Sequence, residues 1–365
     1  MSAGRPVKMA VSPRSTYSLT VAIFISVGIS TVEADATTWN YDKGTYGGPD
    51  NWFIKYTDCG GKMQSPINIP AGALYNPNLR YFNFSDYAST VGVNLTLTNK
   101  GGHTVEVEYS GTPIILRGGS LPDEYKLVQY HFHWGAQDSR GSEHLLDGKH
   151  FPMELHLVHH QAHLADVKVA MSHPFGLAVL GFFFQVSPYN NTKLDTLLEH
   201  FDLIRTVAPQ QGEFSFFRSV LFGIFIGDSM FYLFCFAPDN ETEIALFPLM
   251  DILPDNIDKL DYYRYFGSLT TPPCYETVIW SIATEHIPIS EYQLNIFRSL
   301  YNERHLPLVN DYRPIQALND RTVITTKRPT TTAATTTTPK ATTNSLKDES
   351  DTTQIDDNVI HRFSE

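Results

Sequence analysis

Cysteine is scarce in this chain of 365 residues, with three copies at Cys59, Cys235 and Cys274. So few cysteines allow at most one intramolecular disulfide. In an oxidising compartment one pair is expected to form it, and the alternative is three buried free thiols.

Basic residues are also few, since 27 Lys and Arg stand against 39 Asp and Glu and the net charge is -12. The chain has no basic stripe that would neutralise phosphates, which argues against a nucleic-acid partner. The acidic balance fits a soluble protein.

The C-terminal region lacks a long apolar segment. Thr, with Pro, Ala and Lys, dominates residues 322–343, and the chain is acidic and polar from Lys347 onward. Such a composition buries too little apolar surface to offset its conformational entropy, so residues 326–365 are predicted to form a disordered tail, open to O-glycosylation. A membrane helix and a GPI signal both need a hydrophobic terminal segment, so we expect no membrane anchor. Extracellular matrix is a candidate partner for this tail.

Residues 1–36 have the pattern of a signal peptide. Arg5, Lys8 and Arg14 precede an apolar stretch from Leu19 to Val32, and Ala34-Asp35-Ala36 supplies small residues for cleavage. The alternative is a signal anchor, but the stretch is short for a bilayer span. The sequence therefore predicts a secreted, extracellular protein. Four N-glycosylation sequons agree with this, at Asn83, Asn94, Asn190 and Asn240.

Segments rich in Val, Phe and Tyr recur along the chain, for example 91–97, 105–109 and 177–186. Their composition is typical of β-strands. Few long amphipathic helices interrupt them. This pattern predicts one domain built on a large sheet.

Three histidines have a spacing that suits one metal ion. Side chains two apart in a strand point to the same face, so His131 and His133 can both ligate from one strand. His156 can complete the set from a neighbouring strand, where Glu154 shares its face. Three neutral imidazoles leave a fourth tetrahedral position open, which is typical of catalytic Zn2+. A chance His-x-His pair on the surface or in the core is the alternative.

A second cluster lies far downstream, at Gly267-Ser268-Leu269-Thr270-Thr271-Pro272-Pro273, with Trp280 beyond it. With it the chain resembles the α-class carbonic anhydrases, from about Trp39 to Arg321. The other motifs that carry the resemblance are Gln64-Ser65-Pro66-Ile67-Asn68, Gln129 to Gly135, Gly141-Ser142-Glu143-His144, Glu154 to Val158, Gly176 to Gly181, and Tyr312-Arg313-Pro314.

The resemblance implies an α+β, sheet-dominated fold: a single domain on a large, mostly antiparallel, twisted central sheet with short surface helices. We place this catalytic domain at residues 37–325. The apolar segment at about 214–236 is long enough to resemble a membrane span. A span there would put His131 and Thr270 on opposite sides of a bilayer, so we interpret it as an insertion, either a true hairpin or a gene-model error.

The resemblance also implies the reaction, which is reversible hydration of carbon dioxide to bicarbonate and a proton by hydroxide formed at the zinc. Gln129 and Glu154 stand where the family fixes the ring nitrogens of His131 and His156. Thr270 matches the residue that accepts a hydrogen bond from the hydroxide and donates its own proton to Glu143.

Further roles follow from the same resemblance. His103 matches the proton shuttle and Tyr41 the tyrosine that helps to order water along the proton path. The family's substrate site is matched at Val158, Val179, Leu269, Thr270, Thr271 and Trp280. On their own, the apolar members of this set would be ordinary core residues.

The resemblance further implies a disulfide between Cys59 and Cys274, which leaves Cys235 without a partner. The sequence departs from the family at two places. Lys100-Gly101 precedes Gly102-His103 where the family usually has Asn residues, and Asp311 stands where an Asn is usual, which puts the support of the middle ligand in doubt.

Two functions follow from these observations. One is a secreted zinc enzyme, a carbonate dehydratase acting on a small-molecule substrate. The other is a non-catalytic binding or matrix protein on the same fold, like the carbonic anhydrase-related members of the family that lack ligands. All three histidines, Glu143 and Thr270 are present, which favours the enzyme.

Overall fold

The computed structural model describes residues 39–206, 222–226, 229–233 and 241–329, and for 222–226 and 229–233 it describes the backbone. The predicted signal peptide at 1–36 lies outside the described residues. So do Cys235, residues 330–365 of the predicted tail, and most of the predicted insertion at 214–236.

Short and long strands follow one another along the described chain. In chain order they are β1 (Asn68–Ile69), β2 (Leu74–Tyr75), β3 (Phe82–Asn83), β4 (Val93–Lys100), β5 (Thr104–Gly111), β6 (Ile115–Gly118), β7 (Tyr125–Trp134), β8 (Leu145–Leu146), β9 (Met153–Gln161), β10 (Leu177–Ser187), β11 (Phe222–Ile226), β12 (Ser229–Leu233), β13 (Glu241–Glu243), β14 (Tyr262–Gly267), β15 (Val278–Ala283), β16 (Ile287–Ser290) and β17 (Ile324–Thr325).

One sheet of 13 strands dominates the fold, with its main path in the order β13-β4-β5-β7-β9-β10-β15-β14-β17-β2. Most neighbours are antiparallel, including β7 with β9 and β9 with β10. Parallel pairs join β10 to β15 and to β16, and β17 to β2. The predicted fold class, sheet-dominated with a large and mostly antiparallel sheet, is confirmed.

The helices are short. The α-helices are α1 (Trp52–Lys55), α2 (Val167–Met171), α3 (Asp195–Leu198) and α4 (Glu291–Arg298), and 3-10 turns lie at Thr57–Gly60, Ser85–Ala88, Thr192–Leu194, Phe201–Ile204, Leu249–Ile252 and Ile257–Lys259. Ser290 and Gln293 form a reciprocal capping box that satisfies backbone N–H groups at the start of α4. None of the helices in the described ranges has the length and apolar character needed to cross a membrane.

The centre of the sheet is buried on both faces. Every residue of β9 is buried, although four of its nine residues are His or Gln and one is Glu. One face of the sheet packs against a large apolar core that includes Phe132, Leu155 and Phe182. The opposite face carries a smaller apolar cluster that includes Val179 and Trp280, and the polar side chains of the site lie beside it.

Strands β11 and β12 lie within the segment that the sequence marks as an insertion. They pair with each other in antiparallel register, from Phe222 opposite Leu233 to Ile226 opposite Ser229. Together they form a two-stranded sheet separate from the main one.

Candidate active site

Strands β7 and β9 bring the three histidines together. His131 and His156 are directly opposite each other in the antiparallel register, and His133 is two residues further along β7. A register shift between Leu127 and Gln129 precedes this part of β7. One nitrogen from each ring lies within 4.8 Å of the other two. The three imidazoles therefore converge on one side of the sheet, where the alternation of strand side chains predicts them.

A hydrogen-bond acceptor holds the other nitrogen of each ring. The Nδ1 of His131 donates to Gln129 Oε1 at 2.9 Å, and the Nε2 of His156 donates to Glu154 Oε1 at 2.9 Å. The Nδ1 of His133 donates to the backbone carbonyl of Asp311 at 2.6 Å. Because these acceptors take the ring N–H groups, the nitrogens that face the centre carry lone pairs.

The geometry at the centre fits a metal cation. His131 Nε2 and His156 Nδ1 are 3.3 Å apart, so two lone pairs face each other. The Nε2 of His133 is buried and has no hydrogen-bond partner among the described residues. A cation bound by all three nitrogens would satisfy them, and a set of three imidazoles suits Zn2+. His144, Glu154 and His156 form a second group whose ligand atoms lie close enough together to hold a metal ion. In this group, however, both imidazole rings already donate a hydrogen bond to Glu154.

Burial favours the uncharged form of His131 and His133. It lowers the pKa of His131 well below its usual value, and the neighbouring His133 and His156 lower it further. Burial also lowers the pKa of His133, against the opposing effect of Glu143. Metal binding requires neutral imidazole, so these two lowered pKa values favour binding of an ion.

Glu143 lies against the cluster. Its Oε1 accepts a hydrogen bond from the backbone N–H of Arg313 at 2.8 Å, and its Oε2 is 3.4 Å from His133 Nε2. That Oε2 is buried without a hydrogen-bond partner among the described residues. The resemblance implies a hydrogen bond from Thr270 to this carboxylate, which the structure does not contain. Thr270 is buried on the loop that follows β14.

A buried chain of hydrogen bonds, which the sequence analysis did not find, supports Glu154. The Nδ1 of His144 donates to Glu154 Oε1 at 2.7 Å, and its backbone N–H donates to Oε2 at 2.8 Å. The Nε2 of His144 lies 2.6 Å from the hydroxyl of Tyr265, which in turn is 2.8 Å from Ser65 Oγ. Burial alone would raise the pKa of Glu154, but His144 and His156 together hold it well below its usual value. The carboxylate thus stays ionised as the acceptor for His156.

Ser65 and Ser268 join this chain to the loop that carries Thr270. Each backbone N–H donates to the hydroxyl of the other serine, at 2.9 and 3.0 Å. The indole of Trp280 also donates to the carbonyl of Ser268 at 3.0 Å. The sequence contains a signal for this arrangement, because Ser65 and Ser268 both belong to motifs of the family, but no spacing rule pairs residues 203 apart.

Arg313 ties the site to the N-terminal part of the domain. Its Nη1 donates to Gln64 Oε1 and to the Ser65 carbonyl, and its Nη2 donates to the Cys59 carbonyl. Burial lowers its pKa to about 10, which leaves it charged at neutral pH. A disulfide joins Cys59 to Cys274 beside it, so the loop after Thr270 is bonded to the same segment.

The apolar side chains expected at the substrate site lie together. Val158, Val179 and Trp280 are buried in the smaller apolar cluster, and Leu269 packs against it. Trp280 and His156 are in ring contact, with centroids 4.8 Å apart. Thr271 is half-buried, and its carbonyl accepts the backbone N–H of Cys274. An apolar surface therefore adjoins the histidine cluster.

His103 lies on the three-residue turn between β4 and β5. Gly101 and Gly102 both have positive φ there, at 59° and 72°, a conformation that glycine adopts without strain. The imidazole stacks on Trp39 with ring centroids 3.9 Å apart, and Tyr41 lies near both rings. Burial lowers the pKa of His103 to about 4 in this position. A proton carrier near neutral pH would have to leave this stack for solvent.

One family model matches more than half of the chain. The eukaryotic-type carbonic anhydrase model matches residues 47–222 and 235–327, which leaves residues 223–234 unmatched. Putative carbonic anhydrase 5 of Caenorhabditis elegans is 33% identical over 316 residues, covering 85% of this chain and 89% of the relative. Human carbonic anhydrase 7 is 36% identical over 293 residues, covering 78% and 96%, and canine carbonic anhydrase 6 is 33% identical over 290 residues, covering 78% and 79%.

The fold and the site define a class of protein in which three histidines converge on one face of a large β-sheet as candidate metal ligands. The chain belongs to the eukaryotic-type carbonic anhydrase family.

Proposed function

We propose that this protein is a secreted zinc enzyme that hydrates carbon dioxide reversibly to bicarbonate and a proton. The observation that carries the proposal is the convergence of His131 Nε2, His133 Nε2 and His156 Nδ1 with their lone pairs inward. Members of the family named carbonic anhydrase cover most of the chain, which supports the same reaction.

His131, His133 and His156 would hold the ion. When bound, zinc supplies a Lewis acid that lowers the pKa of water to generate a nucleophile at neutral pH, for which carbonic anhydrase is the standard example. Gln129, the Asp311 carbonyl and Glu154 would keep the three rings in place by accepting their outward N–H groups. The Asp311 contact uses a main-chain oxygen, and the Asp311 carboxylate accepts the backbone N–H of Trp134, which helps to hold that oxygen in place.

Glu143 and Thr270 would orient the nucleophile. The unpartnered Oε2 of Glu143 can accept a hydrogen bond from the Thr270 hydroxyl, whose lone pairs then accept one from the attacking oxygen. The unsatisfied carboxylate oxygen favours the formation of this bond, because a buried acceptor without a donor costs free energy. Val158, Val179, Leu269 and Trp280 would offer apolar carbon dioxide a matching surface, with Thr271 at its edge.

His103 would carry protons from the site to solvent, and Tyr41 would help to order the water that connects them. The low pKa of the stacked imidazole means that transfer requires the ring to turn away from Trp39. Outside that stack, the imidazole would regain a pKa suited to proton exchange near neutrality.

Secretion is supported by two features. Residues 1–36 have the composition of a signal peptide, and the Cys59–Cys274 disulfide suits an oxidising compartment. The tail predicted from residue 326 starts too early, because Thr326 exchanges hydrogen bonds with the backbone of Tyr262 on β14. For the Thr-rich and acidic segment that follows, we propose extracellular matrix as the partner.

Metal analysis and stopped-flow kinetics test the function directly. We expect one zinc per purified chain and rapid carbon dioxide hydration, which a chelator abolishes and added Zn2+ restores. The second candidate function is a non-catalytic binding protein. It predicts a folded chain that does not hydrate carbon dioxide faster than the buffer alone, whether or not the chain binds zinc. That result would overturn the proposed function.

A further inference from the structure

A cavity of about 290 Å3 lies on the opposite face of the sheet from the histidine cluster. Its wall is mainly apolar and is formed by Leu79, Pro122, Phe175, Phe266, Ile279 and Ile324. These residues come from strands β14, β15 and β17 and from the loops around them. Asn76, Asn78 and Ser120 supply polar groups at the same cavity.

Arg264 also lines this cavity, although its side chain is almost fully buried, with 4% of the residue exposed. It stands on β14, beside Tyr265, and the alternation of the strand directs the two side chains to opposite faces. The Nε donates to Ser281 Oγ at 3.0 Å, and the Nη2 donates to the Gly119 carbonyl at 2.9 Å. The Nη1 donates to none of the described residues.

No carboxylate neutralises this guanidinium within the described ranges, since no Asp or Glu oxygen lies within 4.0 Å of it. The rings of Phe82 and Tyr262 partly compensate, at 5.8 and 5.1 Å from the guanidinium carbon. Burial lowers its pKa, with only the phenols of Tyr262 and Tyr125 acting against that effect. Buried charges in proteins are normally paired, so a lone buried cation at the wall of an apolar cavity calls for an anion.

We propose that this cavity binds a small organic monocarboxylate with an apolar body, whose carboxylate pairs with Arg264. The carboxylate accepts a charge-assisted hydrogen bond from Nη1, the donor that has no partner among the described residues. The apolar body of the ligand packs against Leu79, Phe175 and Phe266.

The size and charge of the cavity narrow the class of ligand. Its volume is near the lower end of the roughly 300 to 1,000 Å3 of small-molecule sites, so it suits an acid with about ten heavy atoms rather than a lipid. A single cation in an apolar wall matches one negative charge, whereas a phosphate dianion would bring an uncompensated charge into the same surroundings. A neutral ligand would leave Arg264 unpaired.

Binding of 3-phenylpropanoate to the zinc-loaded protein tests the proposal, with 3-phenylpropanamide as the uncharged probe of the same shape. By calorimetry we expect a dissociation constant of about 0.1 to 1 mM for the acid. The amide and the Arg264→Met variant should each weaken binding by roughly 10- to 100-fold, the cost of one charge-assisted bond. The matched control is Arg205→Met, because Arg205 is exposed and pairs with Asp202 three residues earlier.

Two further measurements keep the test decisive. Leu79→Phe fills the cavity without touching Arg264, so it should also weaken binding by at least about tenfold, even if Arg264→Met fails to fold. A structure of the complex should show the carboxylate at Arg264. Carboxylates can also bind a metal ion, so acid binding that survives both variants, or density only at the histidine cluster, would overturn the proposal. No binding by the wild-type protein would overturn it as well.

Discussion

The two faces of the central sheet are built on the same strands but are specified in different ways. On β7, His131 and His133 face the candidate metal site, while Tyr130 and Phe132 between and beside them face the large apolar core. On the site face, each imidazole has a particular acceptor at a particular distance. On the other face, aromatic rings pack against one another, for example with centroids 5.2 Å apart for Phe132 and Phe297 and 4.7 Å apart for Phe201 and Phe297.

Within one strand, the residues on one face therefore contribute mainly to stability and those on the other face mainly to function. Apolar packing stabilises in proportion to the buried area and tolerates many combinations of similar volume. A buried polar network tolerates few changes, because each unsatisfied donor or acceptor costs free energy. Substitutions of adjacent residues on β7 should therefore affect different properties.

The largest effect is expected for His133→Ala on the site face. It removes one of three candidate ligands, so zinc affinity should fall by more than the roughly 100-fold seen when only a supporting residue is lost. Zinc per chain, measured by mass spectrometry after dialysis, should fall from one to near zero, and carbon dioxide hydration should fall with it. Full activity in metal-free His133→Ala protein would contradict the assignment.

A control histidine sharpens this first comparison. His163 is exposed and pairs with Asp123 at 2.5 Å, away from the cluster. We expect His163→Ala to keep both the metal and the activity. In the metal-free forms, His133→Ala should change the free energy of unfolding by only about 1 to 3 kcal/mol, the cost of leaving the Asp311 carbonyl without its donor.

The neighbouring substitution, Phe132→Ala, should have the opposite profile. Phe132 is fully buried among aromatic side chains, so its loss should lower the free energy of unfolding by about 3 to 5 kcal/mol. The folded fraction should still bind one zinc per chain, because the side chain points away from the cluster. Urea unfolding with parallel metal analysis measures both. Loss of zinc without loss of stability would show that the two faces are not separable.

The sequence predicted the residues that face the candidate metal site better than it predicted the contacts that support them. Alternation along a strand predicted that His131 and His133 share one face and that His156 can complete the set from a neighbouring strand. The resemblance added the supporting roles of Gln129 and Glu154. Both kinds of evidence are readable from the sequence, because one is a local pattern and the other a set of motifs in a fixed order. The fold class was likewise predicted from the recurring Val-, Phe- and Tyr-rich segments and from the motifs.

The remaining contacts could not be read from spacing. The support of His133 comes from the backbone carbonyl of Asp311, and a main-chain contact has no side-chain signature in the sequence. His144 and Tyr265 are hydrogen-bonded although they lie 121 positions apart in the sequence. The cavity beside Arg264 is likewise lined by residues from distant parts of the sequence. Such pairings depend on the three-dimensional path of the chain rather than on local composition.

A histidine on the apolar side of β9 should produce a smaller effect that depends on pH. His159 is fully buried, accepts a hydrogen bond from the Tyr87 hydroxyl at 2.5 Å and donates to the Ala178 carbonyl at 3.1 Å. Burial lowers its pKa to about 4, whereas an unfolded chain titrates near 6.5. Between these values the unfolded state binds more protons, so stability should fall as the pH falls from 6.5 to 4, by about 3 kcal/mol at most.

His159→Gln tests this pH dependence because glutamine keeps a donor and an acceptor but does not titrate. Urea unfolding at several pH values should show the wild type losing stability relative to the variant below pH 6.5, with a constant difference above it. The other buried histidines contribute equally to both proteins and cancel. A difference that does not change with pH would contradict the assignment of a neutral, buried imidazole.

The smallest effect is expected for His103→Ala, which changes neither the candidate ligands nor the apolar core. The maximal hydration rate in weak buffer should fall by about 10- to 100-fold, since proton transfer by a positioned side chain would be lost. The rate constant for attack on carbon dioxide, from kcat/KM, should change little. Added imidazole should restore most of the lost rate by carrying protons from solution.

The stack of His103 on Trp39 makes a further distinction possible. If the ring has to leave this stack to carry a proton, then Trp39→Ala should raise the pKa of His103 from about 4 toward 6.5, because it removes the burial that lowers it. Proton NMR titration of the imidazole measures the change, and the maximal rate near neutral pH should not fall. A rate loss in His103→Ala that no buffer rescues would instead show that His103 has a structural role at the β4–β5 turn.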